Sequence, residues 1–229
     1  ITPLSDLNKA EEQELEDTLA KEAEAKAAAA EKIAKEQRRQ QATKAASQRQ
    51  KSEAETRYMI DEQLRQVGWE ADTENLRHSK GTVPVKGRNI AIAEWPTDST
   101  VSKKGYADYA LFVGLQLVGI IEAKAEHKDI PSVIDFQGKD YPRNIRTEDA
   151  KYQIGVWGDY KVPFTFATNG RPYLEQYKTK SGIWFLDLRE PSNVPKPLRG
   201  WMSPEGIMER LEKDIAAGNK ALQEMPYDL

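Results

Sequence analysis

Two carboxylates and an amine stand where a globular chain normally places apolar side chains. Asp108 interrupts the run Tyr106-Ala-Asp-Tyr-Ala-Leu-Phe-Val113, and Glu122 and Lys124 close the run Leu117-Val-Gly-Ile-Ile-Glu-Ala-Lys124. Side chains alternate along an extended segment, so Glu122 and Lys124 share one face and Ala123 takes the other. Gly114-Leu-Gln116 reads as a tight hairpin connection that brings Asp108 beside them. A bare carboxylate inside a sheet is costly, so charges at the end of apolar runs call for a partner. Two acids with an ammonium make a seat for a hard divalent cation, which takes oxygen ligands and keeps several waters. Phosphodiester hydrolysis needs those parts. The cation neutralises phosphate and lowers the pKa of a water, while a nearby Lys orients the nucleophile or offsets charge in the transition state. Acid-x-Lys also arises by chance in a chain that is 31% charged, and it is the apolar context that sets this instance apart.

Composition narrows the chemistry. The 229 residues include no Cys and two His, which removes thiolate catalysis, zinc-thiolate sites and histidine-rich clusters, leaving oxygen ligands for any metal. Basic residues number 34 against 37 acidic, a net charge of -3, so a nucleic-acid surface must be sought locally. Lys80, Lys86, Arg88, Lys103 and Lys104, in the loops before Asp108, form such a patch, with a solvated loop as the alternative. No apolar run approaches the roughly 20 residues of a membrane-spanning helix. The chain opens at Ile1 with neither an initiator Met nor a leader pattern and reads as a piece of something longer.

The elements that must position these residues follow from pattern. Residues 1–53, built from Ala, Glu, Lys, Gln and Arg, read as a long charged helix whose narrow stripe of Leu15, Leu19 and alanines argues against a strong coiled coil. From residue 54 the pattern is globular. Tyr58, Ile60, Leu64 and Val67 mark the buried face of a helix that stops at Gly68. Strands are expected at 90–95, 106–113, 117–124 and 162–167, with a helix from Pro131 between the last two and a hairpin of 173–177 with 183–188. Trp95, Trp157 and Trp184 are assigned to packing. Residues 191–229 read as a proline-rich linker and a helix from Ser203 to about Glu224, with a capping Ser and a first-turn Pro. The order predicts an α/β domain with a mixed central sheet flanked by helices, spanning 54–190.

At this point the residues resemble a family. Gly105-Tyr-Ala-Asp108, Val118-Gly-Ile-Ile-Glu122-Ala-Lys124 and Gln137-Gly-Lys-Asp-Tyr141 resemble the PD-(D/E)xK nuclease signature with the Gln-x-x-x-Tyr element of its RecB-like branch. Glu55-Thr-Arg57, Ile60-Asp-Glu-Gln-Leu64, Gly68-Trp69 and Phe166-Ala-Thr-Asn-Gly170 are similar to the amino-terminal nuclease domain of the restriction (HsdR) subunit of type I restriction-modification enzymes. The resemblance implies a restriction-endonuclease-like core and Mg²⁺-dependent cleavage of double-stranded DNA, with Mn²⁺ as substitute. It makes Asp108 and Glu122 metal ligands, the Ala123 carbonyl an additional one, and Lys124 the catalytic lysine. Gln137 and Tyr141 would support cleavage, and Glu55 would face the metal, with Glu62 as fallback. Gly138 and Pro142 both weaken a helix, so the helix is expected to end at Tyr141. His127, after the triad, is better read as solvent-facing than as a base. The resemblance further implies modification and specificity subunits as partners, a cytoplasmic location, and ATP use only by a motor whose phosphate-binding loop is absent from this sequence. A RecB-like exonuclease, a junction resolvase and a catalytically silent assembly module stand as alternatives.

Overall fold

The computed structural model describes residues 31–32, 35–44, 53–99, 105–125, 130–213 and 220, and for 135–137 the backbone alone. The chain divides into two compact units, Ile1–Lys51 and Ser52–Leu229. In the first, residues 31–32 and 35–44 are helical and exposed, as their Lys-, Gln-, Arg- and Glu-rich composition favours. Leu15, Leu19 and the rest of the expected long helix lie outside the described residues.

The second unit is an α/β domain on one seven-stranded mixed sheet whose spatial order follows the chain. Helix α1 (53–66) leads into β1 (Glu70–Ala71), β2 (Asn89–Pro96), β3 (Tyr106–Val113) and β4 (Gln116–Ala123). Helix α2 (Pro131–Arg143) crosses to β5 (Phe164–Thr168), followed by β6 (Ile183–Asp187), β7 (Lys196–Pro197) and helix α3 (Pro204–Glu212). Strands β2, β3 and β4 run antiparallel and β5 lies parallel to β4, the pairing that a helical crossover makes possible. Gly114, at φ 59, supplies the left-handed backbone of the tight turn between β3 and β4.

Two hydrophobic layers clamp the sheet. Ile60 and Leu64 of α1 and Ile207 of α3 join Ala91, Tyr109, Leu111, Ile121, Phe164 and Phe166 in one cluster. Tyr141 of α2 packs with Ile90, Ile92, Ala110, Phe112 and Ile120, and Ile130 and Ile134 pack with Ala167 and Trp184. Asp61 ties α1 to β3 through polar contacts inside the first layer. It accepts from the Thr73 backbone N–H at 2.7 Å and from the Tyr109 hydroxyl at 3.0 Å.

Several local expectations change. Tyr58 is 69% exposed, because the buried face of α1 is carried by Ile60 and Leu64. No strand forms at 173–177; β6 pairs instead with β5 and with β7, which comes from the proline-rich stretch read as a linker. The last helix is described to Glu212. Its start is as expected, since the Ser203 side chain accepts from the Gly206 N–H at 3.0 Å.

Helix α2 does not end at Tyr141 but runs to Arg143, with Pro142 inside it. The reason lies in β5. Proline has no N–H, so the carbonyl four residues earlier, on Gly138, loses its helical donor. The buried Thr165 hydroxyl donates to that carbonyl at 2.7 Å. Gly138 permits the approach, since a Cβ there would lie 3.3 Å from Thr165 Oγ1 and 3.2 Å from Ile134 Cγ1. Thr165→Val will therefore strand a buried acceptor and cost about 1–3 kcal/mol. In urea this appears as a lower midpoint at unchanged m value, and Thr165→Ser recovers most of the loss.

Candidate active site

Each element delivers one charge to the same end of the sheet. Residues Ala93 and Trp95 of β2 pair with Tyr109 and Ala107 of β3, so Glu94 falls opposite Asp108. Tyr109 pairs with Ile121 on β4, and one step further along that register Asp108 faces Glu122. Three carboxylates thus form a row on three neighbouring strands. Asp108 and Glu122 are each 2% exposed.

Like charges side by side in a sheet repel, and cations answer them. Lys124 forms an ion pair with Glu122 Oε1, which bears out the expectation that the two share a face. Arg57 of α1 places one guanidinium nitrogen 2.6 Å from Asp108 Oδ1 and the other 3.3 Å from Glu94 Oε1. Arg77 also pairs with Glu94. The second oxygen of Asp108 accepts from the Ala123 backbone N–H at 2.8 Å.

One atom is left over. Glu122 Oε2 is buried without a hydrogen-bond partner. Burial and the neighbouring Asp108 charge push the Glu122 carboxyl up to about 8, against the opposing pull of Lys124. A proton satisfies such a group, and so does a cation. Beside Asp108 and Lys124 opens a cavity of about 230 Å³, lined also by Glu53, Thr56, Arg57, Ala123 and Ala125 but not by Glu122. The chemistry of this donor set suits a hard, oxygen-seeking divalent ion, which Asp108, Glu122 and the adjoining Ala123 carbonyl would hold. Among the described residues no cluster of three or more His, Asp or Glu offers a fuller cage.

The other expected residues are placed as follows. Glu55 is exposed and does not line the cavity, whereas Glu53, Thr56 and Arg57, three and four residues apart on one helical face, do. Glu62 is exposed and pairs with Arg65 at 2.8 Å. Tyr141 is 1% exposed and packs in the α2-side layer. Gln137 lies in α2, its side chain outside the described residues. Lys86 and Arg88 precede β2 and so sit at the opposite end of that strand from Glu94, about 20 Å away at the usual strand rise. Arg88 is engaged with Glu70, its Nε 2.9 Å from Oε1. Lys80 is exposed, three residues beyond Arg77, while Lys103, Lys104 and His127 lie outside the described residues. Sequence reasoning missed Glu94, Arg57, Arg77 and Glu53. Glu94 carried the same signal as Asp108, an acid breaking the apolar run Ile90-Ala-Ile-Ala-Glu-Trp95.

A mixed sheet with antiparallel β2, β3 and β4, a helical crossover to a parallel β5, and a buried acid pair with its lysine at the strand ends is a restriction-endonuclease-like core. The family model described as the type I restriction enzyme EcoKI endonuclease subunit second domain matches residues 70–211, more than half of the chain, and the chain belongs to that family. It is 38% identical over 200 residues to the type I restriction enzyme EcoKI endonuclease subunit of Escherichia coli (strain K12). That match covers 76% of this chain and 17% of the relative, so the chain spans about a sixth of the length of the protein it resembles. No solved structure gives a significant match.

The raised Glu122 carboxyl sets a pH dependence in the presence of chelator. Between the ordinary carboxylate range and pH 8 the folded chain holds a proton that the unfolded chain has released. Stability therefore falls as pH rises through that window, by up to about 1.4 kcal/mol per pH unit, and levels off above it. Urea titrations from pH 5 to 9 will show this slope in the wild-type chain and a flatter one in Glu122→Gln.

Proposed function

We propose that this chain is the metal-dependent nuclease domain of a type I restriction-modification R subunit and hydrolyses phosphodiester bonds of double-stranded DNA. The single observation that carries the reading is the buried pair Asp108 and Glu122, one oxygen unpartnered, with Lys124 at its side and a cavity that reaches Asp108 and Lys124. Membership of the restriction-enzyme family supports the choice of DNA as substrate. Asp108, Glu122 and the Ala123 carbonyl would hold Mg²⁺, or Mn²⁺ in its place. When bound, the ion supplies positive charge at the scissile phosphate and acidifies water.

The chain's own residues do the rest. Lys124 keeps an ammonium at the open end of β4, where it orients the attacking water and offsets charge that gathers on the phosphate oxygens. The Ala123 N–H holds the Asp108 carboxylate in a fixed orientation. Gln137 and Tyr141 on α2 support the Glu122 side of the site. Lys80, Lys103 and Lys104 are the proposed phosphate contacts, which hold the duplex without reading its sequence; Arg88 is committed to Glu70. In the whole assembly, modification and specificity subunits would read the site, and ATP would serve only a motor outside this sequence. Among the described residues no helix is long and apolar enough to cross a membrane.

Three measurements test the reading. Cleavage of supercoiled plasmid by the chain in Mg²⁺ will drop by about a hundredfold or more in Asp108→Ala, Glu122→Gln and Lys124→Ala. Calorimetry with Mn²⁺ will show binding to the wild type and none to Asp108→Ala; identical isotherms for the two would sink the assignment. In gel shifts, unrelated duplexes will bind equally and lose affinity together as salt rises, whereas preference for one sequence would contradict the division of labour.

A further inference from the structure

Arg57 sits where an incoming ion must go. Of the two Asp108 oxygens, Oδ2 accepts from the Ala123 N–H at 2.8 Å and Oδ1 from the Arg57 guanidinium at 2.6 Å, so an ion bound at Oδ1 competes with the guanidinium for that atom. A divalent cation and a guanidinium cannot share one carboxylate oxygen without strong repulsion. A second acceptor for Arg57 is already within reach, because its other nitrogen lies 3.3 Å from Glu94 Oε1. Passing from one acid to the other takes a swing of the planar fork, with no movement of the helix.

We propose that Arg57 is a positioning residue of the cation site: it holds the Asp108 carboxylate while no ion is bound and passes to Glu94 when the ion enters. This rests on the metal reading above.

Two features of the fold prepare the exchange. The backbone of Arg57 belongs to α1, which Ile60 and Leu64 pack against the sheet and Asp61 ties to β3, so the side chain moves about a fixed origin. Glu94 is the one non-glycine residue at positive φ among the described residues, at 53° inside β2. A long side chain in the left-handed region costs free energy and persists only when the surroundings impose it. Here that backbone turns the Glu94 carboxylate toward both Arg57 and Arg77. With Arg77 also on Glu94, the acceptor stays oriented whether or not Arg57 is on it.

A permanent structural ion pair between Arg57 and Asp108 makes the opposite forecast, and Mn²⁺ affinity of the chain separates the two. Calorimetry on the wild type, Arg57→Gln, Glu94→Gln and the double variant forms a thermodynamic cycle. Removing the competitor in Arg57→Gln should tighten Mn²⁺ binding about tenfold. Glu94→Gln should weaken binding severalfold in the wild-type background, where Arg57 loses its second partner, and change little when Arg57 is already gone. Affinity that is unchanged or weaker in Arg57→Gln overturns the proposal. So does a Glu94→Gln effect of equal size in both backgrounds, which marks simple loss of negative charge. If Arg57→Gln does not fold, Arg57→Met, which removes the charge and keeps a long side chain, carries the same cycle with the same sign. Asp108→Asn is run alongside. Retained binding there means that the ion sits elsewhere and the metal reading itself fails, whereas loss of binding there with no gain in Arg57→Gln removes the Arg57 proposal alone.

Discussion

Two carboxylates buried against each other cannot both stay ionised without compensation, and the domain is arranged around that constraint. Asp108 and Glu122 are almost wholly withdrawn from water on adjacent strands. The compensation comes from three directions: Arg57 from α1, Lys124 from beyond β4, and the Ala123 N–H from the strand itself. It remains incomplete at one atom, Glu122 Oε2. A fold built only for stability would replace such a pair with apolar side chains of similar volume. Keeping it costs stability, and in the proposed function a divalent ion would fill the charge deficit.

The sheet accommodates this by gathering Glu94, Asp108 and Glu122 at one end. From Ile90 to Ala93 and from Tyr109 to Phe112 the strands are buried and carry no charged residue, and the helices cover both faces. The acids appear only where β2 and β4 approach their ends and β3 begins. The scaffold on either side is fastened by polar contacts that leave few buried groups unsatisfied. Asp61 locks α1 to β3, and Thr165 locks α2 to β5 at the carbonyl that Pro142 leaves without a helical donor. Rigid anchoring on both faces lets the charged side chains adjust without loss of the fold.

Family membership and local geometry give different kinds of support here. The match over residues 70–211 assigns the domain to a restriction enzyme, yet it begins after α1. The cation that touches Asp108, Arg57, comes from that preceding helix. Its contact with Asp108 is seen in the distance and burial, outside the residues that the family model matches. The unusual backbone torsion of Glu94 is likewise visible only in three dimensions.

The sequence by itself determined the class of fold and the strands that carry the acids, and it singled out Asp108, Glu122 and Lys124, because charges that break apolar periodicity are a local signal. It also located the β3–β4 turn and the cap of α3, which depend on residues adjacent in the chain. The tertiary structure decided what long-range contact decides. It chose Glu53 and Arg57 over Glu55 for the cavity, since helical phase relative to the sheet is set by the packing of Ile60 and Leu64. It carried α2 past Pro142, because the donor that rescues Gly138 lies 27 residues away on β5. It set Glu94 beside Asp108, because register between strands is a property of their pairing rather than of either segment alone.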